Sequence, residues 1–306
     1  MIRPAAFDYN PETAATNRMQ QAPGGEAGRS QDAALAEFER MAKALSSEGI
    51  EVCVVPDTPE PSKPDAVFPN NWVSFHQEGT VVLYPLQSAS RRPERRRQII
   101  DAVCNELGYT IARIVDLTHH EEQQRYLEGT GSLVLDHTHR IAYACVSPRT
   151  HPQLVEEWAQ ELGYQAVIFE ARDPHGVPYY HTNVLLCIGT RMAVVGACAM
   201  PTEDRARVVA KLALGGREVL EINYEEIARF AGNMLELASW DEALGDYRLL
   251  VMSDSARKAL RPETYARLSA AVDGVLAIPV PTIERLGGGS VRCMLAEVFL
   301  PSVSAR

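Results

Sequence analysis

The sequence predicts one α/β domain over residues 1–306, built as a radial repeat, and three observations carry that prediction. Amphipathic helical stretches alternate with short apolar strands along the whole chain. Five polar or glycine-bearing points, Asn71, Gly131, Asn183, Asn233 and Cys293, recur at intervals of 60, 52, 50 and 60 residues, the even spacing that marks repeat architectures. Each point opens the first strand of a hairpin, so the five polar segments would converge on a common axis. At 306 residues and 46% hydrophobic, the chain can bury a large core.

In chain order, the first unit carries Leu35, Phe38, Ala42 and Leu45 at helical spacing, a strand over 50–55, and a hairpin of 66–75 with 80–86. The second has Ile99, Val103 and Leu107 on a helix, a strand over 110–115, and a hairpin of 132–135 with 141–146 across a polar turn. The third has Leu154, Trp158 and Leu162, a strand over 165–169, and a hairpin of 183–188 with 192–195. The fourth runs through a helix at 205–212, a strand at 218–220 and segments 232–237 and 248–252. The fifth has a helix at 265–272, a strand at 275–280 and a last strand at 290–299. That last strand lacks a downstream partner, so the N-terminal strand near Ile2 is expected to pair with it and close the ring.

A formal charge of −10, from 40 acidic and 30 basic residues, argues against nucleic acid and anionic membrane as partners. The first residues lack the basic and apolar regions of a secretory leader. The longest apolar stretch, Met192 to Met200, is far too short for a bilayer, so a cytoplasmic protein is expected. Six cysteines without a CxxC pair read as reduced thiols. Five lie in apolar runs and look like core residues; Cys293 does not. The pairs His119-His120 and His137-x-His139 lie in polar turns without a clear ligand set, so no metal is expected. Residues 17–32, with Gly24-Gly25, read as a mobile loop that could serve as a lid.

The chemistry concentrates in four segments: Asp65 to Asn71, Glu128-Gly-Thr-Gly-Ser132, Tyr180-His181-Thr-Asn183, and Gly287-Gly-Gly-Ser-Val-Arg-Cys293. A cysteine just past three glycines, with a histidine and a glutamate at equivalent places of sister units, has the parts of a nucleophilic site. Cys293 would attack, His181 would act as general acid and base, and Glu128 would orient the imidazole.

These motifs resemble the guanidino-group-modifying, or pentein, superfamily, which includes arginine deiminase, dimethylarginine dimethylaminohydrolase, agmatine deiminase and glycine amidinotransferase. The resemblance covers essentially the whole chain. It implies a five-bladed α/β propeller with fivefold pseudosymmetry and a central active site. It also implies a catalytic cysteine matching Cys293, a histidine matching His181 and a glutamate matching Glu128, with no cofactor. Ser147-Pro-Arg149-Thr150 and Ser90-Arg91-Arg92 resemble motifs that hold an α-carboxylate; from these Arg149 and Arg92 are the expected carboxylate ligands. Asp65 resembles the residue that holds the α-amino group.

Two departures from the family pattern bear on the substrate. Where relatives carry aspartates facing a guanidinium, this chain has Asn71 and Asn183, with Asn70 beside the first. A buried guanidinium facing no carboxylate would keep an uncompensated charge costing several kcal/mol. Asparagine offers a donor and an acceptor, which suits a ureido group. The expected substrate is therefore a small ureido amino acid such as citrulline, cleaved at a terminal C–N bond through a Cys293 thioester. The resemblance is closest to the citrulline-utilisation hydrolases, described as amidinotransferase-like. A guanidine hydrolase, an amidinotransferase and a non-catalytic binding protein on the same fold are the alternatives. The second departure is Glu-Gly-Thr-Gly-Ser where relatives have Glu-Gly-Gly-Asp, which leaves the missing Asp without a counterpart. A homodimer is compatible with the sequence.

Overall fold

The structure is a computed structural model that describes residues 1–24, 30–241 and 245–302. Four three-stranded sheets in it repeat one topology: an antiparallel hairpin, a helical crossover, and a third strand parallel to the hairpin's second strand. The first sheet joins β3 (Val73–Phe75), β4 (Thr80–Leu83) and β5 (Arg113–Asp116), with α3 (Arg97–Leu107) as the crossover. The second joins β6 (Leu133–Asp136), β7 (Ile141–Cys145) and β8 (Gln165–Phe169) across α5 (Pro152–Leu162). The third joins β9 (Leu186–Ile188), β10 (Met192–Val195) and β11 (Glu218–Glu221) across α6 (Thr202–Leu212). The fourth joins β12 (Leu235–Asp241), β13 (Gly245–Ser253) and β14 (Gly274–Ile278), with α8 (Asp254–Ala259) and α9 (Pro262–Ala270) between the last two. Parallel neighbours cannot be joined by a tight turn, which is why a helix separates them.

This pairing moves the unit boundary expected from the sequence. Each hairpin shares its sheet with the strand after the next helix, as in Val81↔Ile114 and Tyr143↔Val167, rather than with the strand before it. A residue pattern shows helices and strands but not which strands exchange hydrogen bonds.

The N-terminus also departs from expectation. β1 (Ile2–Arg3) pairs in parallel with β2 (Val55–Pro56), in the register Ile2↔Val55. The connection runs through α2 (Ser30–Ser47) and repeats the strand–helix–parallel strand arrangement of the other units. Residues 290–299 do not form the expected long strand. Val291–Met294 is a 3₁₀ turn, and Val298 makes a single parallel bridge to Phe75.

The helices bury the faces that the periodicity marks. In α2 the expected Phe38 and Leu45 are buried, but Leu35 and Ala42 are only half-buried, and Ala34 and Met41 join the core with Val280, Ile283 and Cys293 in their place. Burying each large apolar side chain is worth about 1.5–3 kcal/mol. In α5, Trp158 is fully buried and its indole N–H donates to the Tyr84 hydroxyl at 2.8 Å. Four cysteines are buried, but Cys104 is half-buried and Cys198 exposed, so those two are not the core residues the sequence suggests.

Of the expected lid, residues 25–29 lie outside the described residues. The preceding stretch is ordered by named contacts: α1 (Pro11–Ala14) is capped by Asn10, Asn17 Nδ2 donates to Gly288 O at 3.1 Å, and Gln20 Nε2 donates to Leu286 O at 2.9 Å. Among the described residues, no helix is long and apolar enough to cross a membrane.

Candidate active site

The polar points at the strand entrances contact one another in sequence order. Asn71 and His181 both press on Gly131, where a Cβ would come within 2.5 Å of Asn71 Nδ2 and 2.7 Å of His181 Nδ1, so no side chain fits there. Asn183 Nδ2 donates to Thr130 O at 3.2 Å. Asn233 Nδ2 donates to Asn183 O at 2.9 Å and reaches Cys293 Sγ at 3.3 Å. The turn before Cys293 is held from outside. Glu37 accepts from the Thr282 and Ile283 N–H groups, and Glu284 accepts from Ser290 Oγ at 2.6 Å. Gly288 turns there with φ +63°, a conformation glycine adopts at little cost.

Cys293, His181, Asp65, Asn71 and Arg149 meet at a narrow cavity whose walls also include Arg91. From the N-terminal segment, Thr13 and Asn17 cover it. Phe68 and Tyr180 complete the apolar wall, and the Tyr180 hydroxyl donates to Gly288 O at 2.5 Å.

His181 Nε2 lies 2.8 Å from Glu128 Oε2, and both side chains are buried. Burial pushes the imidazole down to about 4 against the upward pull of Glu128, so His181 is neutral at neutral pH. Its Nε2–H donates to the carboxylate, which leaves Nδ1 as the acceptor. Burial alone would raise Glu128, but Arg149 and His181 together outweigh it and hold the carboxyl at about 2. Glu128 is fixed further by the Gln87 N–H at 3.0 Å and by Arg149 Nη1 at 3.5 Å. Burial also raises the Cys293 thiol, against hydrogen bonds from Asn233 and Asn183.

Arg149 extends to the covering segment, donating to Thr13 O at 2.6 Å and Thr16 Oγ1 at 3.0 Å. Asp65 accepts from Asn10 Nδ2 at 2.7 Å and Thr13 Oγ1 at 3.3 Å. Thus both groups expected to hold the amino-acid end are bonded to residues 10–16. Ser147 Oγ donates to Tyr180 O at 2.8 Å, a link between strands rather than a cavity contact.

Three expected placements change. Arg92 lies outside the cavity: it is one-third exposed and pairs with Glu121 at 3.1 Å. Its neighbour Arg91 is the buried one, bonded to Glu94 at 2.8 Å and donating to Asn71 Oδ1 at 2.7 Å. The 3₁₀ turn over 89–94 puts adjacent side chains on different faces, which a charge-rich run conceals. Asn183 lies beneath the sulfur rather than on the cavity wall, with Nδ2 at 3.6 Å from Sγ. Asn70 is fully buried off the cavity wall, and neither polar atom of its side chain has a partner. The signal that singles out Arg91 is Glu94 three residues later, the spacing of a helical ion pair.

The histidine pairs are not simple solvated turns either. His137 Nδ1 bonds the Tyr164 hydroxyl, and His139 bonds Asp136. His120 is buried against Glu157 at 3.1 Å, and with His119 these form the group among the described residues whose ligand atoms could hold a metal ion. They are remote in role from the cavity, none of whose walls they form.

A family profile described as N,N dimethylarginine dimethylhydrolase, eukaryotic, matches residues 3–300. No curated protein matches. Among solved structures, the chain is similar to ArgZ, an arginine dihydrolase from the ornithine–ammonia cycle in cyanobacteria, with TM-score 0.74 and 18% identity over 99% of this chain. It spans only 40% of that longer protein. A variant of the ArgZ N-terminal domain covalently bound to a reaction intermediate aligns with TM-score 0.73 and 18% identity over 98% of both chains. A dimethylarginine dimethylaminohydrolase in adduct with S-methyl-L-thiocitrulline aligns with TM-score 0.61 and 16% identity over 96% of both chains. At these identities the structural likeness speaks for the fold.

Proposed function

Because this chain belongs to the N,N dimethylarginine dimethylhydrolase family of the pentein superfamily, we propose that its cavity cleaves the terminal carbon–nitrogen bond of a ureido amino acid such as citrulline. As a member of that family it is a hydrolase of carbon–nitrogen bonds other than peptide bonds. On this reading Cys293 forms a covalent thioester, His181 moves the protons and Glu128 holds the imidazole.

One observation carries the choice of a ureido head group. The Asn71 amide is oriented by Arg91, which occupies its oxygen at 2.7 Å. Asn71 lines the cavity, and its Nδ2 is buried without a partner beside Gly131. Asn71 therefore has an unused donor to offer the substrate, while its oxygen already accepts from Arg91. A ureido oxygen takes that hydrogen bond; a guanidinium, which has only N–H groups, leaves it unmade, at a cost of about 1–3 kcal/mol.

The steps then balance. Neutral His181 takes the thiol proton as Sγ adds to the ureido carbon, and the carbon–oxygen pair moves onto the oxygen facing Asn71 Nδ2. The intermediate collapses, and the terminal nitrogen takes the proton from His181 and leaves as ammonia. Water, deprotonated by His181, adds to the carbamoyl thioester. Sγ leaves, and the carbamate separates into the free amine and carbon dioxide. Citrulline and water give ornithine, ammonia and carbon dioxide. Asp65 and Arg149 would take the α-amino and α-carboxylate groups once residues 10–16 release them.

A guanidine hydrolase is the second reading, favoured by the Asp65 carboxylate on the cavity wall and by the likeness to an arginine dihydrolase. Ammonia release from citrulline, arginine, methylarginines and agmatine separates the two. Turnover of citrulline, lost in Cys293→Ala, is the expected result; release from guanidines alone overturns the ureido reading.

The contacts among Asn71, Gly131, Asn183, Asn233 and Cys293, with the shared strand order of the four sheets, support a five-bladed α/β propeller forming one catalytic domain. In that reading β1, β2 and residues 291–299 make the fifth blade. A nucleophilic cysteine with five other free thiols fits work in the reducing cytoplasm.

A further inference from the structure

The Cys293 sulfur has a hydrogen-bond donor whose orientation two backbone groups dictate. Asn233 is fully buried. Its Oδ1 accepts from the Arg292 N–H at 3.2 Å, and its Nδ2 donates to Asn183 O at 2.9 Å. Rotating the amide by half a turn would set its oxygen against the Asn183 carbonyl and its NH₂ against the Arg292 N–H. Both contacts would then be repulsive, so only one orientation is compatible with the surroundings. In that orientation Nδ2 is 3.3 Å from Sγ, nearer than Asn183 Nδ2 at 3.6 Å.

We infer that Asn233 is a catalytic residue whose amide N–H, locked by the Arg292 and Asn183 backbones, stabilises the Cys293 thiolate during attack and departure. This rests on the reading of Cys293 as nucleophile. His181 hydrogen-bonds Glu128 rather than the sulfur, so the side-chain donors that touch Sγ in the resting site are the amides of Asn233 and Asn183, beside the Ser290 backbone. Burial raises the thiol, and the Ser290 backbone, the Asn233 amide, the Arg292 charge and the Asn183 amide oppose that rise. The charged and titratable groups around Sγ are His181, Tyr180, Asp65, Arg91 and Arg149 across the cavity, with Arg292 preceding it in the chain. None of them changes in the variants below.

An amide serves here better than a charged donor. It adds no charge to the site, and it cannot lose its proton when the thioester forms. The same donor assists the return step, because a sulfur that departs as a stabilised thiolate is the better leaving group.

Alkylation of Cys293 by iodoacetamide, followed by mass spectrometry of the Cys293 peptide across pH, reads the thiolate without any substrate. Asn233→Leu keeps nearly the same shape and adds no charge but withdraws the amide donor. Asn233→Ala removes both the shape and the donor. Each folded variant is expected to need about one pH unit more for half-maximal alkylation, and to lose about tenfold in rate at pH 7. In the unaltered protein, two asparagine side-chain amides are expected to shift in ¹⁵N–¹H spectra at the pH midpoint of Cys293 alkylation. A folded variant with the wild-type alkylation profile overturns the inference, as does a spectrum in which fewer than two asparagine amides follow that midpoint. An active Cys293→Ala enzyme instead overturns the reading of Cys293 as nucleophile, and does so in a separate assay.

Discussion

Asn71, on the cavity wall, accepts from Arg91 Nη1 through its side-chain oxygen at 2.7 Å and leaves its NH₂ group buried without a partner beside Gly131. An ion-paired arginine thus holds the orientation of an asparagine, and the proposed ureido head group rests on that orientation. Substituting Asn71→Asp removes the donor and supplies a carboxylate. The ratio of kcat/KM for citrulline to that for arginine is expected to fall at least tenfold, about 1.4 kcal/mol of discrimination. An unchanged ratio would detach substrate choice from Asn71.

Replacing Cys293 by alanine removes the attacking atom from a site whose frame is backbone. Turnover is expected to drop by about 10⁴-fold or more, measured as ammonia release, because no covalent route remains. The deleted sulfur is one small buried atom, so the unfolding midpoint in urea should move little. Large destabilisation would instead assign Cys293 a packing role.

Glu128→Gln tests the orienting carboxylate. It keeps a partner for the His181 ring but leaves Arg149 buried without its acid, a loss of several kcal/mol in stability. Because Glu128 pulls the His181 pKa upward, its removal should move the acid limb of kcat/KM to lower pH, while kcat falls by about 10²-fold or more. A pH–rate profile with an unmoved acid limb contradicts the assigned pairing.

Acid sensitivity follows from the same pair. His181 is held near 4, below the ordinary 6.5, so the unfolded chain binds its proton first and native stability is lost as pH falls from about 6.5 to about 4. Glu128, near 2 against an ordinary 4.5, contributes stability above 4.5 that is lost as pH falls towards 2. Glu94 has the opposite sign, since burial lifts it to about 7 despite Arg91, and it stabilises the protein more as pH falls through that range. The test is therefore a difference. Wild type should lose stability relative to His181→Gln between pH 6.5 and 4 in matched urea titrations, and parallel curves would refute the assignment.

The two neighbouring arginines separate position from charge. Arg92→Ala, on a side chain paired with Glu121 outside the cavity, should leave kcat/KM within about threefold. Arg149→Ala should cost at least about 10²-fold in kcat/KM, because a buried Glu128 loses its counter-ion and the substrate carboxylate its fork. Comparable losses from both would mean that residue 92 turns inward during catalysis.

What the sequence determined by itself is periodic or compositional. Helix faces such as Phe38 and Leu45, the hairpins, and the recurring entrance points from Asn71 to Cys293 were legible because side-chain spacing follows backbone geometry. The cysteine, histidine and glutamate were legible because their chemistry requires those residue types near glycine. Tertiary structure decided whatever depends on which groups meet. It paired β1 with β2 rather than with residues 290–299, because hydrogen-bond partners between strands leave no mark on a residue pattern. It chose Arg91 over Arg92, since one step along a 3₁₀ turn reverses the face. It moved Asn183 and Asn233 beneath the sulfur, because an amide's direction is fixed by backbone groups far away in the chain.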